Sequence, residues 1–461
     1  MPENKGQSNP EDGRYRRILQ KNPRIDRVVG QMPVPRNTLE RTSAQVLAPA
    51  LGGWVEWLLW QAMRRGIRRL YFLARDGYFA YRAARRYCER LGLPLDCRYI
   101  SCSRYSLRLP LFHQNPEAAL DYVCRGGMHV TPDTILRRAG LTREEREGIL
   151  LQLHLPYSRD EVIPYAELAG LRLRLSRCDA FIHSMLRHSQ EAFPALAGYL
   201  EQEGMLERVP DAVVDSGWVG SIQQTLNEIL SRLGRRKTLS GFYWGLYDLP
   251  REVSASDYHW YYFGPGHRLC DKVYFNNCLF EAVYTAPHGM TLYYEQSDRG
   301  YRPCYGRIAP QKRNVVLELE DVFQNYIRLL SEDAAPRGIC REIIERDRKT
   351  IGKLMKQWMA SPSREEAEFF GSLPFSDDVL EGEEQPLAAV LTQDELKANH
   401  AVHKLLVMAG KRTDILRESA WYEGSAVRSG ERVKSHLRQH ALYQGLRYLR
   451  KDWQYRQKRR G

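Results

Sequence analysis

The sequence predicts an α/β fold, a central, mostly parallel sheet with a helical insertion at about 115–208 and a helical C-terminal region from 311 to 461. Three stretches predict it. Leu70 to Leu73 is a buried-strand run, Arg75-Asp76-Gly77 a tight turn, and Tyr78 to Leu91 a helical pattern. Ala212 to Val214 is a second apolar run, ended by Asp215, followed by the small loop Ser216 to Gly220 and a helix opening at Ser221 with Ile222, Leu226, Ile229 and Leu230 on one face. Cys97 to Cys102 is a third strand, leading into Ser103-Arg-Tyr-Ser-Leu-Arg-Leu-Pro110. Strand, polar turn, helix, repeated along a chain, is the pattern of parallel-sheet proteins.

Taken in order, residues 1 to about 40 are polar and rich in Pro and Arg, and read as a flexible basic arm. An α/β domain then spans 41–310. It opens with an amphipathic helix over 43–65, whose buried side carries Val46, Leu47, Leu51, Trp54, Leu58 and Leu59. Within 115–208, Thr131-Pro-Asp-Thr134 and Thr142-Arg-Glu-Glu145 mark helix starts, because a Thr hydroxyl can cap the free N–H groups of the first turn. Further strands are expected at 239–246, 258–263 and 291–295, and helices over 311–360 and 384–455.

The formal net charge is +13 and aromatic residues make up 11% of the chain, which favours an anionic partner. Nine cysteines without a C-x-x-C pair argue against both a disulfide framework and a zinc site. No apolar run approaches the ~18 residues of a spanning helix, so a cytoplasmic protein is expected. The basic end, Lys451 to Arg460, fits a peripheral contact at the inner membrane face and equally a solvated helix. P-loop, dinucleotide, serine-hydrolase and zincin motifs are all missing. His113, His129 and His154 are isolated and read as ordinary surface or core histidines. The Arg64-Arg65, Arg68-Arg69, Arg85-Arg86 and Arg235-Arg236 pairs read mostly as solvated helix ends.

Two phosphate-type turns remain. Glycines at 217 and 220 let backbone N–H groups turn inward, so Ser216, Gly217, Trp218, Val219, Gly220 and Ser221 form a candidate phosphate loop. Ser221 suits the N-cap, and an ordinary β–α turn with a capping serine fits the same pattern. Asp215 can accept hydrogen bonds from two neighbouring sugar hydroxyls. In the other turn Asp76 stands beside Arg75 and Gly77, where the arginine can neutralise a second phosphate, and Arg104 and Arg108 near the third strand end can add to it. A phosphate at each end of a ribose satisfies this layout. Glu281 and His288, in Asn276 to Gly289, are candidates for acceptor-sugar contacts, although a surface pair fits them too.

Val213-Val-Asp-Ser-Gly-Trp-Val-Gly-Ser221 resembles the substrate loop of type I phosphoribosyltransferases. The set FLARDGY, SRYSLRLP and VVDSGWVGSIQQ is similar to a bacterial family of capsule and O-antigen gene clusters, often fused or adjacent to a haloacid-dehalogenase-like phosphatase. The resemblance covers roughly residues 45 to 295. It implies a phosphoribosyltransferase-like sheet and a ribofuranosyltransferase that uses phosphoribosyl pyrophosphate. Such an enzyme adds 5-phosphoribose to a growing, lipid-linked surface glycan, and the partner phosphatase removes the 5-phosphate afterwards. The sequence departs from phosphoribosyltransferases in having Ser216 where a second acid is usual, and Val219 and Ser221 where threonines are.

On this reading pyrophosphate leaves C1 of the ribose, helped by Arg75 and by Mg²⁺ bridging its oxygens. Asp215 fixes the ribose hydroxyls, Ser216 to Ser221 hold the 5-phosphate, and Asp76 is the general base or a Mg²⁺-water ligand. Two rivals stand beside it. One is a degenerate haloacid-dehalogenase-like phosphatase, in which the nucleophilic aspartate would fall on Ala74. The other is a protein that binds nucleic acid or an anionic surface without catalysis. It requires basic and aromatic residues gathered on one face, whereas here they are spread along the chain, so no nucleic-acid partner is expected.

Overall fold

The computed structural model describes residues 13–127, 130–335, 338–376, 380, 384–408 and 416–458. His129 lies outside the described residues. In chain order the elements that position the site are helix α1 (Ala48–Arg64), strand β1 (Arg69–Leu73), α2 (Tyr78–Leu91), β2 (Asp96–Ile100) and α3 (Arg104–Arg108). They are followed by α4 (Asp179–Gln202), β3 (Asp211–Trp218), α5 (Ser221–Arg232), β4 (Ser240–Leu246), β5 (Tyr258–Phe263) and α6 (Asn277–Val283). A hairpin, β6 (Thr291–Ser297) and β7 (Gly300–Tyr305), precedes α7 (Pro310–Ala334), α8 (Arg341–Ala360) and α9 (Val433–Lys458).

Strands β1 to β5 form one all-parallel sheet in the order β2-β1-β3-β4-β5. Side chains alternate between its faces, as the two-residue period of a strand requires. Leu70, Phe72, Ala212, Val214, Phe242 and Trp244 point into a core with Trp54 and Leu58 of α1, Phe79 of α2, Phe323 of α7, and Ile351 and Trp358 of α8. Tyr71, Leu73 and Val213 point the other way, against Leu196 and Tyr199 of α4 and Leu226 and Ile229 of α5. Helices cover both faces, which is why β1 and β3 are buried at every position. The first core crosses residue 310 without a break, so α7 and α8 share the packing of the α/β domain.

The insertion is helical between β2 and β3, with a core of its own around Phe112, Leu120, Ile135, Leu136, Phe181 and Met185. Thr131 and Thr142 cap its helices, and Thr142 does so in a reciprocal capping box with Glu145. The strand expected at 291–295 forms, but in the separate antiparallel hairpin β6–β7 rather than in the central sheet.

One expectation needs correction. The basic arm is folded from residue 13 onward, with helices at Arg16–Leu19, Pro23–Gly30 and Thr38–Thr42 and with Tyr15, Leu19, Ile25, Val28 and Leu39 buried. Arg24 ties it down by pairing with Glu56 (2.5 Å), Asp347 (2.6 Å) and Asp333 (2.8 Å), acids supplied by α1, α8 and α7. Most of the paired arginines are exposed as expected, and Arg69 and Arg235 are the exceptions. Arg69 is buried in β1 beside Asp96 (2.7 Å), and Arg235 pairs with buried Asp211 (2.5 Å) at the start of β3.

Candidate functional site

In the order β2-β1-β3 the chain leaves β1 in opposite directions, so a crevice opens between the carboxyl ends of β1 and β3, where open α/β sheets hold ligands. Both turns singled out in the sequence lie on this crevice. After β1, the Gly77 N–H donates to the Leu73 carbonyl at 2.9 Å. A Cβ at position 77 would lie 2.6 Å from that oxygen, so only glycine closes the turn this tightly. The turn leaves Asp76 half-buried at its outer edge, directly before α2.

The second turn differs from its expected form. β3 does not stop at Asp215 but continues through Trp218, pairing Gly217 with Gly245 and Trp218 with Leu246. Gly217 has φ 113°, and a Cβ there would sit 2.3 Å from the Gly245 carbonyl, so this part of the strand requires glycine. The six-residue loop is therefore reduced to Val219 and Gly220 between strand and helix. The N-cap of α5 is Gly220, in a left-handed conformation and without a side-chain cap, and Ser221 is the first helical residue rather than the cap.

The first turn and the end of β3 are joined directly, because the Ser216 hydroxyl donates to Asp76 Oδ2. Trp218 Nε1 donates to Glu281 Oε1 at 2.5 Å, and the indole is packed among Phe263, Phe275 and Phe280. Glu281 is delivered by α6, whose N-cap Asn276 also donates to the Ala420 carbonyl at 2.8 Å. The result is a group of three interacting carboxylates. Burial and the charges of Glu281 and Asp215 push the Asp76 carboxyl well above the ordinary aspartate range. Burial pushes Asp215 up to about 7, although Arg104 and the backbone N–H groups of Ser216 and Gly217 pull it down. Arg75 and Arg104 supply the nearby positive charge.

Of the expected site residues, Arg75, Asp76, Gly77, Arg104, Asp215, Ser216 and Glu281 gather at this crevice. Arg108 points elsewhere in α3 and lies over the Tyr122 ring at 5.2 Å, in the insertion. His288 is a structural tie. Its Nδ1 donates to the Gly289 carbonyl and its Nε2 accepts from the Tyr99 hydroxyl (both 2.9 Å), with Tyr305 against the ring at 4.2 Å. Burial and Arg75 hold its pKa below the usual histidine value.

Lys312, Ser376 and Glu384 were not foreseen, yet they line a cleft of ≈ 70 Å³ together with Arg75, Asp76 and Glu281. Cys278 and Phe375 separate it from a wider cleft of ≈ 540 Å³, walled by Asn276, Asn277, Asn399, Tyr443, Gln444 and Tyr448 among others. Nothing near Lys312 or Glu384 in the sequence marks them, since they reach the crevice only through the packing of the C-terminal segments. Among the described residues, no three His, Cys, Asp or Glu side chains are placed to hold a metal ion by themselves. Asp76 and Asp215 still offer the hard carboxylate oxygens that Mg²⁺ uses when water and substrate phosphates complete its shell.

No protein-family model matches the chain, and no curated protein is significantly similar to it. Among the described residues, no helix is long and apolar enough to cross a membrane.

Proposed function

We propose that this protein is a glycosyltransferase that moves 5-phosphoribose from phosphoribosyl pyrophosphate to a sugar hydroxyl of a bacterial surface polysaccharide in the cytoplasm. The observation that carries the reading is the hydrogen bond from Ser216 to Asp76, which couples the glycine-closed turn after β1 to the end of β3, each with an acid, across one crevice. A ribose with phosphate groups at C5 and C1 is a ligand of that shape and charge.

Asp215 accepts from the ribose hydroxyls, and the backbone around Val219 to Ser221, at the N-terminus of α5, receives the 5-phosphate. Arg75 and Arg104 neutralise the pyrophosphate. The C1–O bond to pyrophosphate breaks, the acceptor oxygen bonds to C1 from the opposite face, and its proton passes to Asp76. Burial and the charges of Glu281 and Asp215 raise the Asp76 pKa, which makes its carboxylate a stronger base. Asp76 would hold a bound Mg²⁺ through water, and the ion would supply charge neutralisation of the leaving group. Glu281 keeps Trp218 in place and faces the incoming acceptor, a lipid-linked glycan that enters by the wider cleft. The 5-phosphate remains for a partner phosphatase. A phosphoryl-enzyme mechanism has no support here, since Ala74 occupies the place of the nucleophile.

Pyrophosphate release from phosphoribosyl pyrophosphate, measured with Mg²⁺ and oligosaccharide acceptors, tests the proposal. Acceptor-dependent release should fall about 10²-fold or more in Asp76→Asn. Release that is undiminished in that variant, or seen only with a nucleotide-sugar donor, would rule the proposal out.

A further inference from the structure

Helix α9 carries an unusual exposed face. Leu442, Leu446, Leu449 and Trp453 are spaced four, three and four residues apart, so they fall on one side of the helix. All four are exposed, at 52%, 44%, 54% and 62%. Exposed Arg438, Arg450 and Arg456 stand one or two turns from stripe residues along the same rows. Asp452 is the one acid in 433–458, and it is buried and engaged by Lys272 Nζ at 2.5 Å and by the Gly266 N–H. The helix face offered to a partner is therefore apolar along its middle, and the exposed charges that α9 sets beside it are all cationic.

We propose that this face of α9 docks on an anionic lipid bilayer surface. Leucines along one side of a helix can enter the headgroup–acyl boundary while flanking arginines reach lipid phosphates. Trp453, at the C-terminal end of the stripe, is the residue type that favours that boundary. A second copy of the chain is a poor occupant, because two such faces brought together would oppose arginine to arginine with no exposed acid on the helix to pair them. The opposite side of α9 presents Tyr443, Gln444 and Tyr448 to the wider cleft. Docking would thus hold that cleft close to the membrane surface, a consequence that rests on the proposed function, whereas the docking itself does not.

Full-length protein should be titrated with phosphatidylcholine vesicles and with vesicles containing phosphatidylglycerol, and bound protein measured by co-sedimentation. Binding is expected only to the anionic vesicles and should weaken with salt. L446S combined with L449S should lower it at least ~10-fold, and R438E combined with R450E should do likewise. Both variants alter exposed residues, so thermal unfolding should match the parent chain. Bromine-labelled lipid should quench tryptophan emission in the parent and less in Trp453→Phe. Equal binding to neutral vesicles, or none to anionic ones, would overturn the proposal. So would a dimer in light scattering that the leucine variants abolish. None of these readouts uses the phosphoribosyl donor, so failure here leaves the transfer reaction standing, and the reverse holds as well.

Discussion

Replacing Asp215 by Asn should make the protein more stable at pH 8 and leave it no more stable at pH 5. The carboxyl is 7% exposed and titrates at about 7 in the fold, against an ordinary 3.8. At about 1.36 kcal/mol per pH unit this gap corresponds to about 4 kcal/mol. The sign follows from proton binding. The folded state holds this proton more tightly than the unfolded chain, so the contribution is fully present below pH ~4 and is lost as pH rises through about 7. Asn removes the ionisation but has one acceptor oxygen where the carboxylate has two, and the N–H groups of Ser216 and Gly217 both point at this side chain. An under-satisfied N–H costs about 1–3 kcal/mol. Net stabilisation at pH 8 should therefore be about 1–3 kcal/mol, with parity or a small loss at pH 5. Urea unfolding at pH 5, 6.5 and 8 reads both numbers. Equal destabilisation of Asp215→Asn at all three pH values would refute the reasoning, because Asp215 would then act through its hydrogen bonds and not through a suppressed charge.

Three further outcomes are expected. Arg24→Ala should cost about 3–5 kcal/mol in thermal or denaturant unfolding, since it removes the cation shared by Glu56, Asp333 and Asp347, and Arg27 and Arg346 reach only the last two. Gly217→Ala should cost at least about 2 kcal/mol, because its φ of 113° and the Gly245 carbonyl both oppose a Cβ. Its melting temperature checks this against Gly234→Ala, where a Cβ meets nothing and only the positive φ is unfavourable. Glu281→Gln keeps an acceptor for Trp218 but removes a negative charge that raises Asp76. The acid limb of the pH–rate profile should move to lower pH.

The sheet was legible where apolar runs and their punctuation are local. β5 and α2 fall on the residues expected from alternation and helical period, and the crevice follows from two acids placed after two such runs. The end of β3 was not legible. Gly217 and Trp218 both take positive φ, and a sequence reader takes Ser-Gly-Trp-Val-Gly for a loop when half of it is paired to β4. The same misreading made Ser221 a cap. Arg24 read as part of a solvated arm because its three carboxylate partners lie 32, 309 and 323 residues away. Glu281 was legible as an acceptor-contact candidate but not as a neighbour of Asp76 and Asp215, since that approach depends on how α6 packs across the end of β3. Sheet membership of β6 was beyond reach for a related reason, as alternation shows a strand and not its neighbour.

The most direct test of the central claim is the shift in thermal unfolding produced by phosphoribosyl pyrophosphate with Mg²⁺, compared with ribose 5-phosphate and a nucleotide sugar. At ~100 times its dissociation constant a ligand adds about 2.7 kcal/mol to stability. The account requires a selective shift of that size with phosphoribosyl pyrophosphate, lost in Asp215→Ala. A shift of equal size with the nucleotide sugar, or one that survives in Asp215→Ala, would contradict it.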